Sequence, residues 1–351
     1  MNRQAMREVR LLLIGAGNVG RSFLELLTWK EPSLRDRFGL GLVPVGVADT
    51  SGVAVCAEGL DPGEMVRLKA RGQGVARHPR WGRPGVPALE MVRTTDADLM
   101  IEASPVNLEH GQPGLGCIEA ALARGMHVVT ANKAPLVLAF GRLLALAREH
   151  GVELRYDATV AGGLPAVNLG QRDLAAADIL SLEGVLNLTT NAILTRMARD
   201  GLPYDEALAD AQAAGHTETD PRLDVEGWDA ANKLVILAHS VLGYPATLAD
   251  VEVEGILHLT PAMLRGAAAE GKQIKLVASA ERTEGGVRLR VRPTGLAADH
   301  PLAQLGPNQM GIVYRTDICG VISAAIVEET PMPTAAAVLR DVVELFRRDL
   351  R

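Results

Sequence analysis

Apolar residues in the first 155 positions form two kinds of run that alternate along the chain. Short continuous apolar runs predict buried strands, and longer stretches with apolar residues three or four positions apart predict helices. The predicted strands are residues 9–14, 42–48, 98–102, 126–130 and 152–156. Helices are expected over residues 21–29 and 113–123, and from the fourth strand to about residue 150. This alternation is typical of a mostly parallel sheet covered by helices on both faces.

The pattern changes after about residue 162. Strands are predicted over residues 180–188, 273–280, 287–292, 311–316 and 320–327, broken by turn residues. Helices are expected up to residue 214 and over 228–242. Runs of strands and separate helices indicate an α+β domain with a mixed sheet. A final helix over 334–348 is expected to pack back on the first domain.

A glycine-rich loop follows the first predicted strand and opens the first helix. It reads Gly15-Ala-Gly17-Asn18-Val19-Gly20. In this context the first glycine makes the turn and the second lets a pyrophosphate approach the backbone. The third lets the helix pack on the strand, and the helix N-terminus offers amide donors to the phosphates. The sequence therefore predicts a Rossmann-type doubly wound parallel sheet that binds a dinucleotide, with an α+β second domain.

Asp49 follows the second strand, where a carboxylate accepts hydrogen bonds from an adenosine ribose. It comes later than the usual interval of about 20 residues, which we attribute to a long helix-to-strand connection over residues 31–41. A carboxylate disfavours a ribose 2′-phosphate and so favours NAD. The basic residues Arg67, Lys69 and Arg71 reverse that preference if they reach the ribose, so the expected cofactor is NAD(P).

Residues 52–87 are rich in glycine and arginine and contain one short predicted helix, 62–70. We expect this segment to be an insertion that lies over the sheet.

Composition and charge narrow the class of protein. The chain has 351 residues, enough for two domains. It has no apolar run near the 18 or so residues of a membrane span and no signal-peptide core, so a cytoplasmic protein without a membrane partner is expected. Cys56, Cys117 and Cys319 are far apart in sequence and indicate reduced thiols. A net charge of −6 with dispersed basic residues gives no footprint for nucleic acid.

An acidic segment over residues 215–233 ends at a single lysine, Lys233, in the second domain. Asp229 and Lys233 are four residues apart at the start of the helix predicted over 228–242, so their side chains share one face. Such a pair suits binding of a zwitterion and movement of a proton. The alternative is a solvated loop with an ordinary surface ion pair, worth about 0.2–0.5 kcal/mol.

Several motifs in order resemble the homoserine dehydrogenase family. They are Thr130-Ala-Asn-Lys133-Ala-Pro-Leu, Tyr156-Asp-Ala-Thr-Val-Ala-Gly-Gly-Leu-Pro165, Gly184-Val-Leu-Asn-Leu-Thr-Thr-Asn191, Glu206-Ala-Leu-Ala-Asp-Ala-Gln212 and the acidic segment. The resemblance implies reversible hydride transfer between NAD(P)H and aspartate 4-semialdehyde, in threonine and methionine biosynthesis. It also implies a short form without a fused kinase or regulatory tail.

The resemblance also implies roles for individual residues. Lys233 matches the catalytic lysine and Asp229 orients it, while Glu218 binds the ammonium group of the substrate. Lys133, beyond the end of a parallel strand, approaches both the substrate and the nicotinamide. Ser104 is expected on the nicotinamide side of the cofactor. Thr189 is expected to line the substrate pocket.

Two departures from the family pattern affect the expected site. Leu188 stands where the family has a glycine in the pocket wall. The glutamate of the family's monovalent-cation loop is Asp157 here, and the carbonyls of Val160, Gly162 and Leu164 are the other expected ligands of a sodium ion.

The expected organisation is a dinucleotide-binding domain over 1–155, with 334–351 packing back, and a substrate-binding, catalytic and dimerisation domain over 156–333. A small-molecule enzyme that assembles as a homodimer or a dimer of dimers is expected. Two alternatives remain: a dehydrogenase for another amino-acid semialdehyde, which Leu188 favours, or a non-catalytic NAD(P)-binding regulatory protein.

Overall fold

The computed structural model describes residues 6–213 and 221–347, which form two compact units. Unit 1 comprises the described parts of Met1–Gly163 and Pro331–Arg351, and unit 2 those of Leu164–Thr330. Among the described residues, no helix has the length and apolar character needed to cross a membrane.

Unit 1 is built on a seven-stranded sheet. Its strands are β1 (Arg7–Ile14), β2 (Leu40–Asp49), β3 (Gly52–Val55), β4 (Gly82–Pro84), β5 (Leu99–Glu102), β6 (His127–Thr130) and β7 (Leu154–Arg155). They lie in the order β4-β3-β2-β1-β5-β6-β7. Strands β1, β2, β5, β6 and β7 pair in parallel. The predicted parallel sheet is confirmed, and its order reverses beside β1, where ligands bind in such sheets.

Five helices of unit 1 precede the second unit: α1 (Asn18–Phe38), α2 (Pro62–Ala70), α3 (Ala88–Thr94), α4 (Gly114–Ala123) and α5 (Lys133–Glu149). The first helix is longer than predicted. The expected long connection over residues 31–41 was wrong, because α1 continues through Pro32 to Phe38. Leu34 keeps this extension packed, since its side chain is 4% exposed. Gly39 then ends the helix in the left-handed conformation.

The insertion over residues 52–87 joins the sheet instead of covering it, which corrects our expectation. Strand β3 pairs antiparallel with β2, and β4 pairs antiparallel with β3. Its predicted helix is present as α2, with Asp61 as the N-cap acceptor and Pro62 at the first position. The insertion therefore extends the sheet beyond Asp49.

Unit 2 contains a six-stranded mixed sheet. Its strands are β8 (Ile179–Val185), β9 (Val251–Val253), β10 (Lys272–Thr283), β11 (Gly286–Ala297), β12 (Gln309–Thr316) and β13 (Val321–Val327). They lie in the order β13-β12-β8-β10-β11-β9. Among the described strands of this sheet, β9 and β11 pair in parallel and the other pairs are antiparallel. This confirms the predicted mixed sheet.

The helices of unit 2 are α6 (Ala166–Asn168), α7 (Leu188–Asp200), α8 (Tyr204–Ala213), α9 (Arg222–Val225), α10 (Trp228–Val241) and α11 (Pro261–Ala269). The strand predicted over 180–188 was too long at its end. It stops at Val185 because Asn187 caps α7, its side chain accepting from the N–H of Thr190 at 2.9 Å.

The last described helix, α12 (Met332–Phe346), packs against α1 in unit 1. Its apolar face contributes Val338 and Val342, both 0% exposed, to the core beneath the sheet. The chain thus returns to unit 1 after completing unit 2.

Candidate active site

The glycine loop after β1 has the close packing that a dinucleotide-binding turn requires. Gly15 has a φ of 92°, and a Cβ there would lie 2.3 Å from the carbonyl oxygen of Ala103. A Cβ on Gly20 would lie 1.9 Å from the carbonyl oxygen of Gly15. Open space surrounds the corresponding position on Gly17, with no heavy atom of the described residues within 4 Å. The first and third glycines are therefore needed for packing, and the second leaves room for a ligand.

Helix α1 begins directly after this loop. Gly17 is its N-cap, no side chain caps it, and its first turn contains no acidic residue. Asn18 is exposed and Val19 is half-buried. The first N–H groups of a helix lack partners within the helix and favour anions. This end of α1 suits the pyrophosphate of a dinucleotide.

A buried carboxyl group organises the loop that carries Ser104. Glu102, at the end of β5, is 0% exposed, and its Oε1 accepts from the backbone N–H of Ser104 at 2.9 Å and from its hydroxyl. Its Oε2 accepts from the hydroxyl of Thr130 at 3.2 Å. Burial raises the pKa of Glu102 to about 7, although these hydrogen bonds oppose the rise. The segment after β5 is thus tied to the end of β6.

The same network reaches the start of α5. Asn132 caps that helix, its side chain accepting from the N–H of Ala134 at 3.0 Å, and its amide nitrogen lies 3.5 Å from the Ser104 hydroxyl. Lys133 is the first residue of α5 and is half-buried. Ser104 and the backbone that carries Lys133 are therefore joined through Asn132, at the carboxyl ends of two neighbouring strands.

Asp49 lies at the end of β2, but its carboxylate already has four donors. Oδ1 accepts from the N–H and the hydroxyl of Ser51 at 2.9 and 2.6 Å. Oδ2 accepts from Lys69 Nζ at 2.6 Å and from the N–H of Val75 at 3.1 Å. Burial alone would raise the pKa of Asp49, yet the hydrogen bonds from Lys69 and Ser51 outweigh it and lower the pKa. The insertion thus brings a lysine to the position expected for the ribose.

In unit 2, the ammonium group of Lys233 is held between two oxygens. Its Nζ lies 2.6 Å from Asp229 Oδ2 and 2.6 Å from the carbonyl oxygen of Leu186. The side chains of Lys233 and Asp229 are only 14% and 9% exposed. The spacing on α10 thus forms a largely buried pair and not a solvated surface contact.

Asn187 and Asp224, which we did not predict as site residues, extend the cluster formed by Lys233 and Asp229. The amide nitrogen of Asn187 donates to Asp229 Oδ2 at 2.8 Å and to Asp224 Oδ1 at 2.6 Å. The hydroxyl of Thr189 also hydrogen bonds Asp224. Burial and the neighbouring Asp229 carboxylate raise the pKa of Asp224. Asn187 is 37 residues from Asp224, so no local spacing in the sequence could have linked them.

The remaining predicted residues are Glu218, Leu188 and the expected ligands of the cation loop. Glu218 lies outside the described residues. Leu188 is the half-buried first residue of α7, next to the Asn187 cap. Asp157 is 1% exposed and its carboxylate contacts the guanidinium of Arg340. Val160 and Gly162 follow it in unit 1, whereas Leu164 begins unit 2.

A cavity of about 320 Å³ in unit 1 is separate from these residues. It is lined by the second half of α1, the first half of β2 and residues 58–62. Asp49 is at the other end of β2, and none of the predicted site residues lines the cavity.

Two family models match successive ranges of the chain. Residues 15–157 match the family model of the homoserine dehydrogenase NAD binding domain, and residues 165–343 match that of homoserine dehydrogenase. The chain belongs to the homoserine dehydrogenase family. The first range lies in unit 1, and the second covers nearly all of unit 2 and continues into α12, which belongs to unit 1.

Relatives share nearly the whole length of the chain. Homoserine dehydrogenase of Methanocaldococcus jannaschii is 35% identical over 96% of this chain and 98% of its own. The NAD(+)-dependent homoserine dehydrogenase of Pseudomonas canavaninivorans is 33% identical over 99% of this chain and 98% of its own. A hyperthermophilic archaeal homoserine dehydrogenase solved with NADPH has a TM-score of 0.83 and 26% identity, covering 97% of this chain and 98% of its own. Members of this homoserine dehydrogenase family are NAD(P)-dependent oxidoreductases.

Proposed function

We propose that this chain catalyses the reversible NAD(P)-dependent interconversion of L-homoserine and L-aspartate 4-semialdehyde. Family membership supports the reaction, and the observation that carries it for this chain is the buried Lys233–Asp229 pair. A largely buried lysine fixed by two acceptors is a positioned proton donor or acceptor, as oxidation of an alcohol requires.

Unit 1 supplies the residues for the cofactor. The pyrophosphate is assigned to Gly15, Gly17 and the first turn of α1, from Asn18 to Gly20. The open space around Gly17 fits this assignment. Ser104 and Lys133 are assigned to the nicotinamide end. When bound, the nicotinamide supplies or accepts the hydride.

Unit 2 supplies the residues for the proton. The contacts with Asp229 and Leu186 use two of the three N–H donors of the Lys233 ammonium. In the reducing direction, we assign the third N–H to the carbonyl oxygen of the semialdehyde, to which Lys233 would donate a proton. In the oxidising direction, we assign Lys233 to accept the hydroxyl proton. Thr189 is assigned to the substrate pocket, and Glu218 to the substrate ammonium group.

The test is steady-state turnover of homoserine with NAD and with NADP. Lys233→Ala should lower kcat by about 100-fold or more, the usual loss for a general acid or base, and leave the Kd for the cofactor nearly unchanged. Lys272→Ala is the matched control, since Lys272 is exposed and pairs with Glu270 at 3.0 Å. It should keep wild-type kcat. A Lys233→Ala enzyme with a tenth of wild-type turnover would remove Lys233 from the proton step.

The same assay separates the two alternatives. A non-catalytic NAD(P)-binding protein would bind the cofactor and show no turnover with homoserine. A dehydrogenase for another semialdehyde would have a higher kcat/KM for a longer or shorter hydroxy amino acid than for homoserine. The buried position of Lys233 favours catalysis over the regulatory alternative.

We also propose that the chain forms a homodimer through β13. This strand is at the edge of its sheet and reads Val-Ile-Ser-Ala-Ala-Ile-Val, without a charge. None of its seven residues is fully buried, and Val321 and Val327 are 51% and 54% exposed. An uncharged apolar edge strand readily pairs with another strand. A second copy offers the same strand across a two-fold axis.

The sodium ion that the resemblance implies is not included in this function, because the carboxylate of Asp157 forms an ion pair with Arg340.

A further inference from the structure

Arg340, on α12, contacts the Asp157 carboxylate of the expected cation loop and the carbonyl of Gly163, which lies in sequence between the expected carbonyl ligands Gly162 and Leu164. Arg340 Nη2 contacts Asp157 Oδ2, and Nη1 donates to the carbonyl oxygen of Gly163 at 3.3 Å. Carboxylate and carbonyl oxygens are the atoms that hard cations bind. A guanidinium carries the same sign of charge as a sodium ion and has five N–H donors for such oxygens.

Asp341, the next residue of α12, holds the backbone of Asp157. The N–H of Asp157 donates to Asp341 Oδ2 at 3.1 Å, and Asp341 is 1% exposed. Two consecutive residues of one helix therefore hold the side chain and the backbone of Asp157. The fully buried Val338 and Val342 of the same helix anchor it in the core of unit 1. The position of the guanidinium is thus set by a packed helix.

The guanidinium of Arg340 disfavours a sodium ion at the Asp157 carboxylate. Asp157 is 1% exposed, and a buried carboxylate needs a positive partner. Arginine supplies it at every pH at which the protein is folded, because its guanidinium stays protonated. A sodium ion bound to the same carboxylate would lie beside this fixed positive charge and be repelled. The aspartate is also one methylene shorter than the glutamate of the family pattern.

We propose that Arg340 takes the place of the monovalent cation in this chain. The residues present do not fit a sodium ion, so the protein needs none for folding or for activity. The contacts of Arg340 and Asp341 that carry this inference lie in unit 1, and the inference does not depend on the identity of the substrate.

The first test measures the wild-type Tm and homoserine turnover in choline, sodium and potassium chloride at equal concentrations. An ion that binds the folded chain raises the Tm as its concentration increases. We expect the Tm to differ by less than about 1 °C among the three salts, and turnover to be the same. A saturable rise of either quantity with sodium or potassium, but not with choline, would overturn the proposal.

The second test removes the guanidinium. Arg340→Ala leaves the Asp157 carboxylate without this positive partner, so its Tm in choline chloride should fall by roughly 5 °C or more. Sodium or potassium should restore part of that loss, because the vacated acceptors then suit a small cation. Arg340→Lys, which keeps a positive charge, should be insensitive to the salt.

The control variant is Arg347→Ala, which removes an exposed arginine that pairs with Glu344 at 3.0 Å after the same helix. Its Tm should not depend on the cation. An Arg340→Ala protein whose Tm responds to the three salts as the control does would contradict the proposal. If that variant does not fold, the wild-type measurements still decide, and their Tm is informative even if homoserine is not turned over.

Discussion

At the scale of single residues, burial changes the acidity of Glu102 in unit 1. Its two oxygens accept from Ser104 and Thr130, on the segments after two neighbouring strands. Desolvation is the largest influence and raises the pKa to about 7. In an unfolded chain the same group has a pKa of about 4.3. Glu102 therefore stays protonated in the folded protein over a pH range in which the unfolded chain releases its proton.

This difference predicts a specific dependence of stability on pH. Between about pH 4.5 and pH 7 the folded state binds one more proton at Glu102 than the unfolded state, so the free energy of unfolding falls as the pH rises. Above the folded pKa both states are ionised and this contribution is constant. Glu102→Gln has no proton to release. The wild-type free energy of unfolding minus that of Glu102→Gln should fall by about 2 kcal/mol from pH 5 to pH 7.5 and then level off.

Urea unfolding at a series of pH values measures this difference, with exposed Glu8→Gln as the control. The free energy of unfolding of wild type minus that of Glu8→Gln should show no comparable fall as the pH rises. Parallel curves for wild type and Glu102→Gln over the whole range would mean that Glu102 ionises in the folded protein as it does in the unfolded chain.

At the scale of elements, the insertion determines what surrounds the ribose end of the cofactor loop. Helix α2 carries Lys69, whose side chain is 23% exposed, and places its Nζ 2.6 Å from Asp49. A carboxylate that accepts four hydrogen bonds has little capacity left for ribose hydroxyls. Its negative charge is also offset by the lysine, so it repels a 2′-phosphate less than a free carboxylate does.

We therefore expect Lys69→Ala to favour NAD. The variant loses a cation beside the ribose position and exposes the Asp49 carboxylate, so the ratio of kcat/KM for NADP to that for NAD should fall about 10-fold or more. Arg67→Ala on the same helix is the matched control, because Arg67 forms an exposed pair with Asp61 at 3.3 Å. An unchanged ratio in Lys69→Ala would show that this lysine does not reach the cofactor.

The elements differ in how far the sequence predicts them. The strand, glycine turn and helix from residue 9 were predictable, because apolar periodicity and the three glycines all indicate one local structure. The end of α1 was predicted too early, since Leu34 packs well enough to carry the helix through Pro32. The pairing of β3 with β2 is a hairpin that turns at Thr50 and Ser51, a local feature that we missed. The pairing of β4 with β3 joins separate segments, which a pattern along the chain does not reveal.

The site shows the same limit. Lys233 and Asp229 were predictable because four residues on a helix fix their separation. Asn187 was missed because its contacts with Asp229 and Asp224 span 42 and 37 residues. Arg340 was missed for the same reason, since 183 residues separate it from Asp157. The sequence thus identified residues with local spacing signals and missed partners supplied by tertiary structure.

At the scale of the whole molecule, the proposed homodimer has a direct test. Val321, Ser323, Ala325 and Val327 share the more exposed face of β13. A charge at Ala325, near the middle of the strand, disfavours this pairing, because charged side chains on an edge strand oppose its pairing and like charges from the two copies would lie close together. We expect the wild-type protein to have twice the chain mass of 37.2 kDa by light scattering at micromolar concentration, and Ala325→Arg to have the single-chain mass.

Leu257→Arg, at a 54% exposed apolar residue outside the sheet, is the control and should remain a dimer. A wild-type protein with the single-chain mass, or an Ala325→Arg protein that stays a dimer, would exclude β13 as the interface.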